Sequence, residues 1–442
     1  MAVVTIATAS PTPIAIAEAR PNVARLSTMA RSALVTLGGH AASVARPIAI
    51  AWFARIYGAG SLGSFLLIWS GIELGSRLAT LGLDRGLQRW ADGRRAAAAV
   101  AGMVIAGISA LAIATALSYA LPRILDDQTA PFAQLLVLVG LPVTAMGNVA
   151  LRASRGPTQI ATFVVARGVT EPLLFLVSGL VLSSRCDGSV ALPASLALSI
   201  AGGSAVAAVG LLRTFGLRKL AATLVHVRGW PVRELIRTSI PLGLADLLQV
   251  AQSKLDLIAV AIITLSARAI ASYAIAAEIA SVFIVLRGGF DQIVAPLAAD
   301  ARNSRAQLAR ILTTAMRWSM MIAAPVAFVI LVAPDSLLQW FGGDDGGALV
   351  LLVLAAGRAV EMTFAPAASM LAIIGEPWLS LLNAAAGLSL ALLGQLAVGI
   401  LGFGAIGIAI ASSLGVIASS LLAVYGLTRE EGIAPAWLFE RR

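Results

Sequence analysis

The chain has 442 residues, of which 59% are hydrophobic and only 12% are charged, and its formal net charge is +10. Soluble domains are roughly 45–50% apolar and about 25% charged, so this composition excludes an ordinary globular enzyme and predicts a protein whose main solvent is lipid. One cysteine, Cys186, excludes an intramolecular disulfide and a cysteine metal cluster. The basic balance fits the cytoplasmic loops of a membrane protein better than nucleic-acid binding.

The N-terminal segment 1–31 does not fit a secretory signal, because such a signal needs a basic start and an unbroken apolar run. Pro11 and Pro13 interrupt its apolar run, and its first arginine, Arg20, comes only after them. We expect a disordered cytoplasmic tail here, with Met29 as an alternative start of translation.

Twelve apolar runs follow, each long enough to cross a hydrocarbon core about 30 Å thick, which needs about 20 residues of helix. Several are rich in Ala and Gly, as closely packed membrane helices often are. The predicted spans are 32–54, 62–82, 96–121, 132–151, 160–183, 190–212, 240–263, 270–296, 309–332, 347–373, 379–401 and 404–427.

The charges of the loops support this number of spans. With the N-terminus in the cytoplasm, twenty-one of the 32 lysines and arginines fall in the cytoplasmic loops and tails, and four fall in the outer loops. If one span were omitted or added in error, every later loop would be assigned to the opposite side of the membrane. The positive-inside rule therefore predicts twelve spans with both termini in the cytoplasm.

The longest connection, the basic cytoplasmic linker 213–239, divides the chain into two sets of six helices. The other predicted units are an N-terminal bundle 32–212, a C-terminal bundle 240–427 and a cytoplasmic tail 428–442. Because six is even, both bundles enter the membrane in the same direction, and a shift of 208 residues aligns helices seven and eight with helices one and two. We expect an all-α integral membrane protein with twelve transmembrane helices in two six-helix bundles, related by a pseudo-two-fold axis along the membrane normal.

The first two spans are joined by YGAGSLGSF, Tyr57 to Phe65, whose glycines have the G-x-G-x-x-G spacing of dinucleotide-binding loops. That fingerprint works only between a strand and a helix, whereas this one lies between two apolar helices. We interpret Gly58, Gly60 and Gly63 as residues that allow a tight connection and a close approach of helices.

The same region resembles the start of the lipid-linked oligosaccharide flippases of the multidrug/oligosaccharidyl-lipid/polysaccharide (MOP) exporter superfamily, which make O-antigen and exopolysaccharide export possible. Members commonly show a turn Y-G-x-x-x-x-G-x-F and a second helix that ends G-L-D-x-x-L-x-R. Both patterns are matched, at Tyr57 to Phe65 and at Gly82 to Arg89, and the twelve spans, the six-plus-six division and the length agree with them. The second repeat departs from the pattern, because its turn, LSARAIASY, has no glycine.

The resemblance implies a transporter rather than an enzyme: a flippase that moves a polyprenyl-diphosphate-linked oligosaccharide across the bacterial inner membrane by alternating access. It implies as partners the lipid-linked substrate, the bilayer, a polysaccharide polymerase and glycosyltransferases. Two alternatives stay open, a cation-coupled multidrug exporter of the same superfamily and a membrane oligosaccharide polymerase or ligase. The enzyme is disfavoured because it would usually need a large outer loop with catalytic residues, and the longest outer loops here are short.

Seven cations and seven anions lie inside the predicted spans, where each costs about 2.5–3.5 kcal/mol at a helix centre unless it meets a cavity or a partner. Residues one helical turn apart share a face and are expected to neutralise each other. The pairs with this spacing are Glu73–Arg77, Arg167–Glu171, Arg287–Asp291 and Arg358–Glu361. The first and last of these lie deepest in their spans, so we include them among the candidates for the transport path.

Six further charged residues have no partner at this spacing: Arg46, Lys254, Arg317, Asp246, Asp256 and Glu278. The 208-residue shift places Arg46 on Lys254, so the two cations occupy equivalent positions on helices one and seven. A diphosphate that crosses the membrane needs charge and hydrogen bonds in place of water. We hypothesise that Arg46 and Lys254 contact this diphosphate; the alternative is that each pairs with a carboxylate of a neighbouring helix.

Helix seven carries a polar stripe in ADLLQVAQSKLDL. Asp246, Gln249, Ser253 and Asp256 recur at intervals of three or four residues and are expected on one face, with Gln252 beside them. A polar stripe on an otherwise apolar span usually faces water or a cavity. The sequence therefore predicts that this helix lines the transport path.

Two uses of these groups stay open. Gln249, Gln252 and Ser253 would bind sugar hydroxyls beside the cations that hold the diphosphate. Carboxylates would instead couple transport to a proton or sodium gradient, and the candidates are Asp246, Asp256, Glu278, Glu361 and Glu73. We expect no bound cofactor and no metal centre.

Overall fold

The computed structural model describes residues 45–87, 92–123, 130–153, 162–225, 232–264, 266–301, 304–342, 345–374 and 377–435. Every regular element in this part of the chain is helical. The predicted tail 1–31, the first part of the span 32–54 and the last two positions of the G-L-D motif, Gln88 and Arg89, lie outside the described residues.

The helices of the N-terminal half correspond to the first six predicted spans. Their bounds are α1 Ala45–Tyr57, α2 Ala59–Thr80, a short α3 Leu83–Gly86, α4 Asp92–Ala120, α5 Ala130–Ala153, α6 Glu171–Ser183 and α7 Gly188–Phe215. A π-helical segment, Val164–Thr170, leads directly into α6. Within this half, α4 packs on α5, α5 packs on α7, and α1 packs on α6.

A short connecting helix, α8 Leu217–Val225, precedes the helices of the C-terminal half. The bounds of those helices are α9 Val232–Thr264, α10 Ala267–Ala280, α11 Val282–Asp300, α12 Arg305–Val332, a short α13 Pro334–Trp340, α14 Ala348–Ile374, α15 Pro377–Leu401 and α16 Gly404–Glu430. The predicted span 270–296 is two helices that meet at Ser281, whose hydroxyl donates to the Glu278 carbonyl at 2.7 Å.

The outer faces of these helices are apolar, as expected for a protein in lipid. Ten helices in the described part of the chain are long and apolar enough to cross a membrane. Beside these ten stand α1, a shorter apolar helix of which 13 residues are described, and α2, which carries Glu73 and Arg77. The chain is a multi-pass membrane protein, and the predicted layout of twelve helices in two bundles is confirmed.

The two halves meet along α2, which packs against α9 and α10. Near one end of α2, a β-carbon added to Gly63 would lie 2.7 Å from the Cα of Ala271 on α10. Just beyond the other end, Gly82 has φ +77°, and a β-carbon there would lie 2.4 Å from the Cα of Gly243 on α9. A side chain at either position would therefore require the two helices to shift locally, and glycine allows the close crossings without such a shift.

The glycine-rich turn joins helices rather than a strand and a helix, as interpreted above. Gly58 has φ +82° between α1 and α2, and Gly63 makes the close crossing with α10. A β-carbon at Gly60 would have no atom within 4 Å. Backbone conformation thus explains Gly58 and helix packing explains Gly63, whereas nothing in the structure explains Gly60.

An aromatic cluster fixes α1, α2 and α6 against one another. The Phe65 and Phe175 rings stack with centroids 5.4 Å apart, and Phe175 also meets Phe53 and Trp69 edge-on. Tyr57 donates its hydroxyl hydrogen to the Gly179 carbonyl at 2.9 Å. This packing holds Trp69 in place beside the charged residues that line the bundle interface.

Candidate functional site

Three polar cavities lie inside the described part of the protein. The N-cavity, of about 240 Å³, lies within the N-terminal half and is lined by Arg77, Asn148, Arg167 and Glu171 among others. The C-cavity, of about 350 Å³, lies within the C-terminal half and includes Arg358 and several polar side chains of α9 and α15. The interface cavity, of about 70 Å³, lies between the halves.

The interface cavity is lined by both cations that the 208-residue shift made equivalent, Arg46 on α1 and Lys254 on α9. Arg46 Nε lies 3.7 Å from Glu278 Oε1, and Lys254 Nζ lies 3.0 Å from Glu73 Oε2. The Arg46 guanidinium also lies over the Trp69 ring, 3.7 Å from its centroid. Each cation therefore has a carboxylate partner on another helix, as the alternative interpretation had it.

These two ion pairs are reciprocal. The cation on the first helix of each bundle contacts a carboxylate on the second helix of the other bundle, so both pairs join the halves. The side chains of Arg46 and Lys254 remain 29% and 20% exposed, and both line the interface cavity, while Arg46 also lines the N-cavity. A low-dielectric surrounding strengthens such contacts and makes them costly to break without a substitute anion.

A third contact between the halves corrects the predicted Glu73–Arg77 pair. Arg77 donates to Asp246 Oδ2 at 3.0 Å and lies 3.7 Å from Asp84, while Glu73 contacts Lys254. Both residues stand on the face of α2 that meets α9. Each finds an opposite charge on the neighbouring helix, and no direct contact between them is formed.

The N-cavity contains the predicted Arg167–Glu171 pair, which is confirmed with 2.5 Å between Nη1 and Oε1. Arg167 also donates to the Asn148 side-chain oxygen on α5. The π-helical segment presents Arg167, and a β-carbon on Gly203 of α7 would lie 2.3 Å from Glu171 Oε1. Helix α7 thus leaves the space that the Glu171 side chain fills.

The C-cavity contains the predicted Arg358–Glu361 pair, which is confirmed at 2.8 Å. Arg287 on α11 donates to Glu361 as well, and the predicted Arg287–Asp291 pair stays a prediction. The Asp291 side chain lies outside the described residues. One carboxylate thus bridges two arginines from different helices, and Arg358 lines both the C-cavity and the interface cavity.

No protein-family model matches the sequence, and no curated protein matches it. Solved structures match over most of the chain. The lipid II flippase MurJ, in an inward closed conformation, aligns with a TM-score of 0.67 and 12% identity over 89% of this chain and 87% of MurJ. A MOP superfamily transporter from Pyrococcus furiosus has a TM-score of 0.64 and 16% identity over 92% and 96%.

An inward-facing multidrug transporter of the MATE family has a TM-score of 0.61 and 17% identity over 91% of this chain and 98% of the transporter. The chain has the fold of the MOP superfamily transporters. The resemblance inferred from the first two helices is confirmed at the level of fold. The matching proteins are transporters and a flippase rather than enzymes.

In this MOP fold, α9 separates the interface cavity from the C-cavity, and its polar stripe is divided between them. Asp246, Gln249 and Gln252 line the C-cavity, whereas Ser253 and Asp256 line the interface cavity. The four predicted stripe residues share one face of a continuous helix, but they line two cavities rather than one. Helical spacing groups these residues correctly along the axis, but the position of the neighbouring helices decides which cavity each residue meets.

Asp256 and Glu278, two candidates for ion coupling, have fixed partners. Asp256 is 3% exposed and accepts hydrogen bonds from the Tyr273 hydroxyl at 3.0 Å and from the Leu257 N–H at 2.8 Å. Glu278 contacts Arg46 across the interface. Both carboxylates lie at the wall of the interface cavity.

Two polar residues of α15 were not among the predicted site residues. Ser380 and Asn383 line the C-cavity opposite Gln252, which is 8% exposed. The Gln252 Nε2, Asn383 Nδ2 and Ser380 Oγ atoms are buried and have no hydrogen-bond partner within the described ranges. A stripe test could have found Ser380 and Asn383, because they stand three residues apart on one helix.

Proposed function

We propose that this protein is a flippase that moves a polyprenyl-diphosphate-linked oligosaccharide across the bacterial inner membrane, for surface polysaccharide synthesis. The matching flippase, MurJ, is named for lipid II, itself a lipid-linked substrate. Both termini of the protein would lie in the cytoplasm, and a polysaccharide polymerase and glycosyltransferases would act after and before it. The observation that carries the proposal is the pair of cations, Arg46 and Lys254, between the two bundles.

The reciprocal ion pairs explain how a diphosphate could be taken up and released. While the halves touch, Glu278 and Glu73 neutralise Arg46 and Lys254. When the halves rock apart, these contacts break and the diphosphate replaces the carboxylates as the counterion. The diphosphate and the two cations then stay paired at membrane depth, and the released carboxylates Glu278 and Glu73 would face the water of the opened cavity.

The sugar would bind beside the diphosphate through neutral polar groups. The C-cavity offers Gln249, Gln252, Ser380 and Asn383 on two helices, which supply amide and hydroxyl groups for sugar hydroxyls. Ser253 lies on the same helix at the interface cavity. Arg77 and Arg358 stand nearby as further cations for the anionic part of the substrate.

A flipping assay in vesicles tests the proposal. The probe is a short-chain polyprenyl diphosphate that carries a fluorescent trisaccharide, and dithionite reports the fraction in the outer leaflet. We expect the protein to increase the rate at which probe in the inner leaflet becomes accessible to dithionite. Arg46→Glu and Lys254→Glu should each lower this rate at least tenfold. Arg185→Gln, an exposed residue between α6 and α7, serves as the control and should leave the rate unchanged. Normal flipping by both charge-reversed variants would refute the role of these cations.

The second candidate is a cation-coupled multidrug exporter, which the carboxylates at the cavity walls favour. Asp246, Asp256, Glu278, Glu361 and Glu73 all line a cavity, and such groups can bind protons or sodium ions. An imposed proton or sodium gradient that drives efflux of an organic cation such as ethidium would favour the exporter, provided that the lipid-linked probe is not transported. A flipping rate that no gradient changes would exclude ion coupling.

A further inference from the structure

Arg317 on α12 is a charged residue on the lipid-facing surface. Within the described ranges, Arg317 and Arg310, both in the predicted span 309–332, are the exposed charged side chains inside the predicted spans, since the others are buried or half-buried. It lies twelve residues after the first residue of α12, about 18 Å along the helix axis. Exposed apolar side chains follow it, among them Trp318 and Met321 at 55% and 61% exposure.

Arg317 has no counterion among the described residues. None of the ion pairs or hydrogen bonds within the described ranges involves Arg317, and α12 contains no acidic residue. It lines none of the three cavities. Since hydrocarbon offers no water, a cation at this depth needs a partner from its surroundings.

Arg317 belongs to a short polar track along α12. Arg310, Thr314 and Arg317 follow at spacings of four and three residues, all three are exposed, and they share one face. Helical side chains lean toward the N-terminus, so the Arg317 side chain leans toward Thr314 and Arg310. The N-terminus of α12 is on the predicted cytoplasmic side, so the track runs from that interface into the bilayer.

Thr314 differs from the preceding threonine. The Thr313 hydroxyl donates to the Ala309 carbonyl at 2.7 Å, which satisfies its donor within the helix. The Thr314 hydroxyl makes no hydrogen bond to another residue of the described ranges and stands between the two arginines. It is therefore free to donate to an external acceptor.

We propose that this track binds the phosphate of an anionic phospholipid of the cytoplasmic leaflet, through Arg310, Thr314 and Arg317. Two guanidinium groups match the geometry and charge of a phosphate, and an anionic headgroup supplies the missing counterion. The track lies outside the cavities, on a helix whose inner side packs against α14. A lipid held there would border the C-terminal bundle without lying in the transport path.

Trp318, next to Arg317, allows a direct test. The full-length protein is placed in nanodiscs of phosphatidylcholine that contain a small fraction of brominated phosphatidylglycerol or, separately, brominated phosphatidylcholine. Bromine quenches nearby tryptophan, and subtracting the emission of a Trp318→Phe variant isolates the Trp318 signal. We expect brominated phosphatidylglycerol to be enriched at Trp318 roughly fivefold over its bulk fraction, the ratio expected for one basic residue at an anionic lipid surface.

Variants distinguish a built site from diffuse attraction. Arg317→Gln and Arg310→Gln together should reduce the enrichment to the bulk fraction, whereas Arg317→Lys should retain part of it. Arg213→Gln, at the exposed cytoplasmic end of α7, is the matched control and should change nothing. Equal quenching by both lipids, or an equal loss in the Arg213 variant, would overturn the proposal.

Two other outcomes would also overturn it. If neither lipid quenches Trp318, another protein surface covers the track. If farnesyl diphosphate at equimolar amounts displaces brominated phosphatidylglycerol from Trp318, the site prefers a prenyl diphosphate to a phospholipid. Retained quenching by the zwitterionic brominated lipid in the arginine variants shows that these proteins are folded and inserted.

Discussion

Glu73 and Lys254 show how a single contact can join the two bundles. Glu73→Gln would leave Lys254 without its counterion between helices. Breaking a buried pair costs roughly 3–5 kcal/mol, and because the two side chains are 34% and 20% exposed, we expect only about 1–3 kcal/mol here after screening. The melting temperature in detergent, followed by tryptophan emission, should fall accordingly.

The double variant Glu73→Gln with Lys254→Gln removes both charges and should recover most of this loss. Arg185→Gln, an exposed residue, controls for a general effect of losing a charge. If the double variant melts no higher than Glu73→Gln alone, the contact contributes nothing and the two residues act independently.

Sequence spacing found some partners of the intramembrane charges and missed others. Arg167–Glu171 and Arg358–Glu361 are confirmed because both members stand on one face of one helix. The partner of Lys254 is 181 positions away, on α2 of the other bundle. No helical periodicity carries that information, because it depends on how two helices cross.

Helix packing at Gly203 gives a prediction about one element, α7. A β-carbon there would lie 2.3 Å from Glu171 Oε1 and 2.5 Å from Glu171 Cγ. Gly203→Ala should therefore displace the Glu171 side chain from Arg167 and destabilise the protein by about 1–3 kcal/mol, as overpacking does. Thermal unfolding of the purified variant measures this cost.

Gly71→Ala on α2 is the matched control, because a β-carbon there would meet no atom within 4 Å. It should be neutral or slightly stabilising, since alanine restricts the unfolded chain more than glycine does. Equal melting temperatures for the two alanine variants would show that α7 can shift to accommodate a methyl group.

The twelve spans could be predicted because each needs a long apolar run, and the loops carry the topology in their charges. Two departures from regular helices were not visible in the same way. The predicted span 270–296 breaks at Ser281, and the span 160–183 begins with the π-helical segment Val164–Thr170. A hydropathy profile does not reveal either the helix break or the π-helical segment, because apolar side chains continue through both. Pro172, which follows the π-helical segment, was the one local signal of irregularity.

The two bundles form one molecule through contacts at both ends of α2 and through ion pairs between them. The glycine crossings, Gly63 with Ala271 and Gly82 with Gly243, set the distance between the halves. The ion pairs of Arg46 and Lys254 lie between those crossings and line the small interface cavity. Close packing at both ends of α2 and ion pairs between them are compatible with two bundles that move against each other as rigid bodies.

A reversible cross-link between the halves tests this movement. A β-carbon on Gly63 would lie 2.9 Å from the Ala271 β-carbon, and disulfides span about 3.5–4.5 Å between β-carbons. Gly63→Cys with Ala271→Cys, in a Cys186→Ser background, should therefore form a disulfide after a shift of under about 1 Å. We expect oxidation to slow flipping in the vesicle assay at least tenfold and dithiothreitol to restore it.

The matched control places the disulfide inside one bundle. A β-carbon on Gly394 of α15 would lie 2.8 Å from the Ala411 β-carbon on α16, so Gly394→Cys with Ala411→Cys has nearly the same local geometry. Because both helices belong to the C-terminal half, this link should leave the rate unchanged when oxidised. Full activity of the oxidised Gly63–Ala271 link would show that α2 and α10 stay together throughout transport. The halves would then have to open elsewhere. Their separation at α2 could no longer explain how Arg46 and Lys254 are released from their carboxylates.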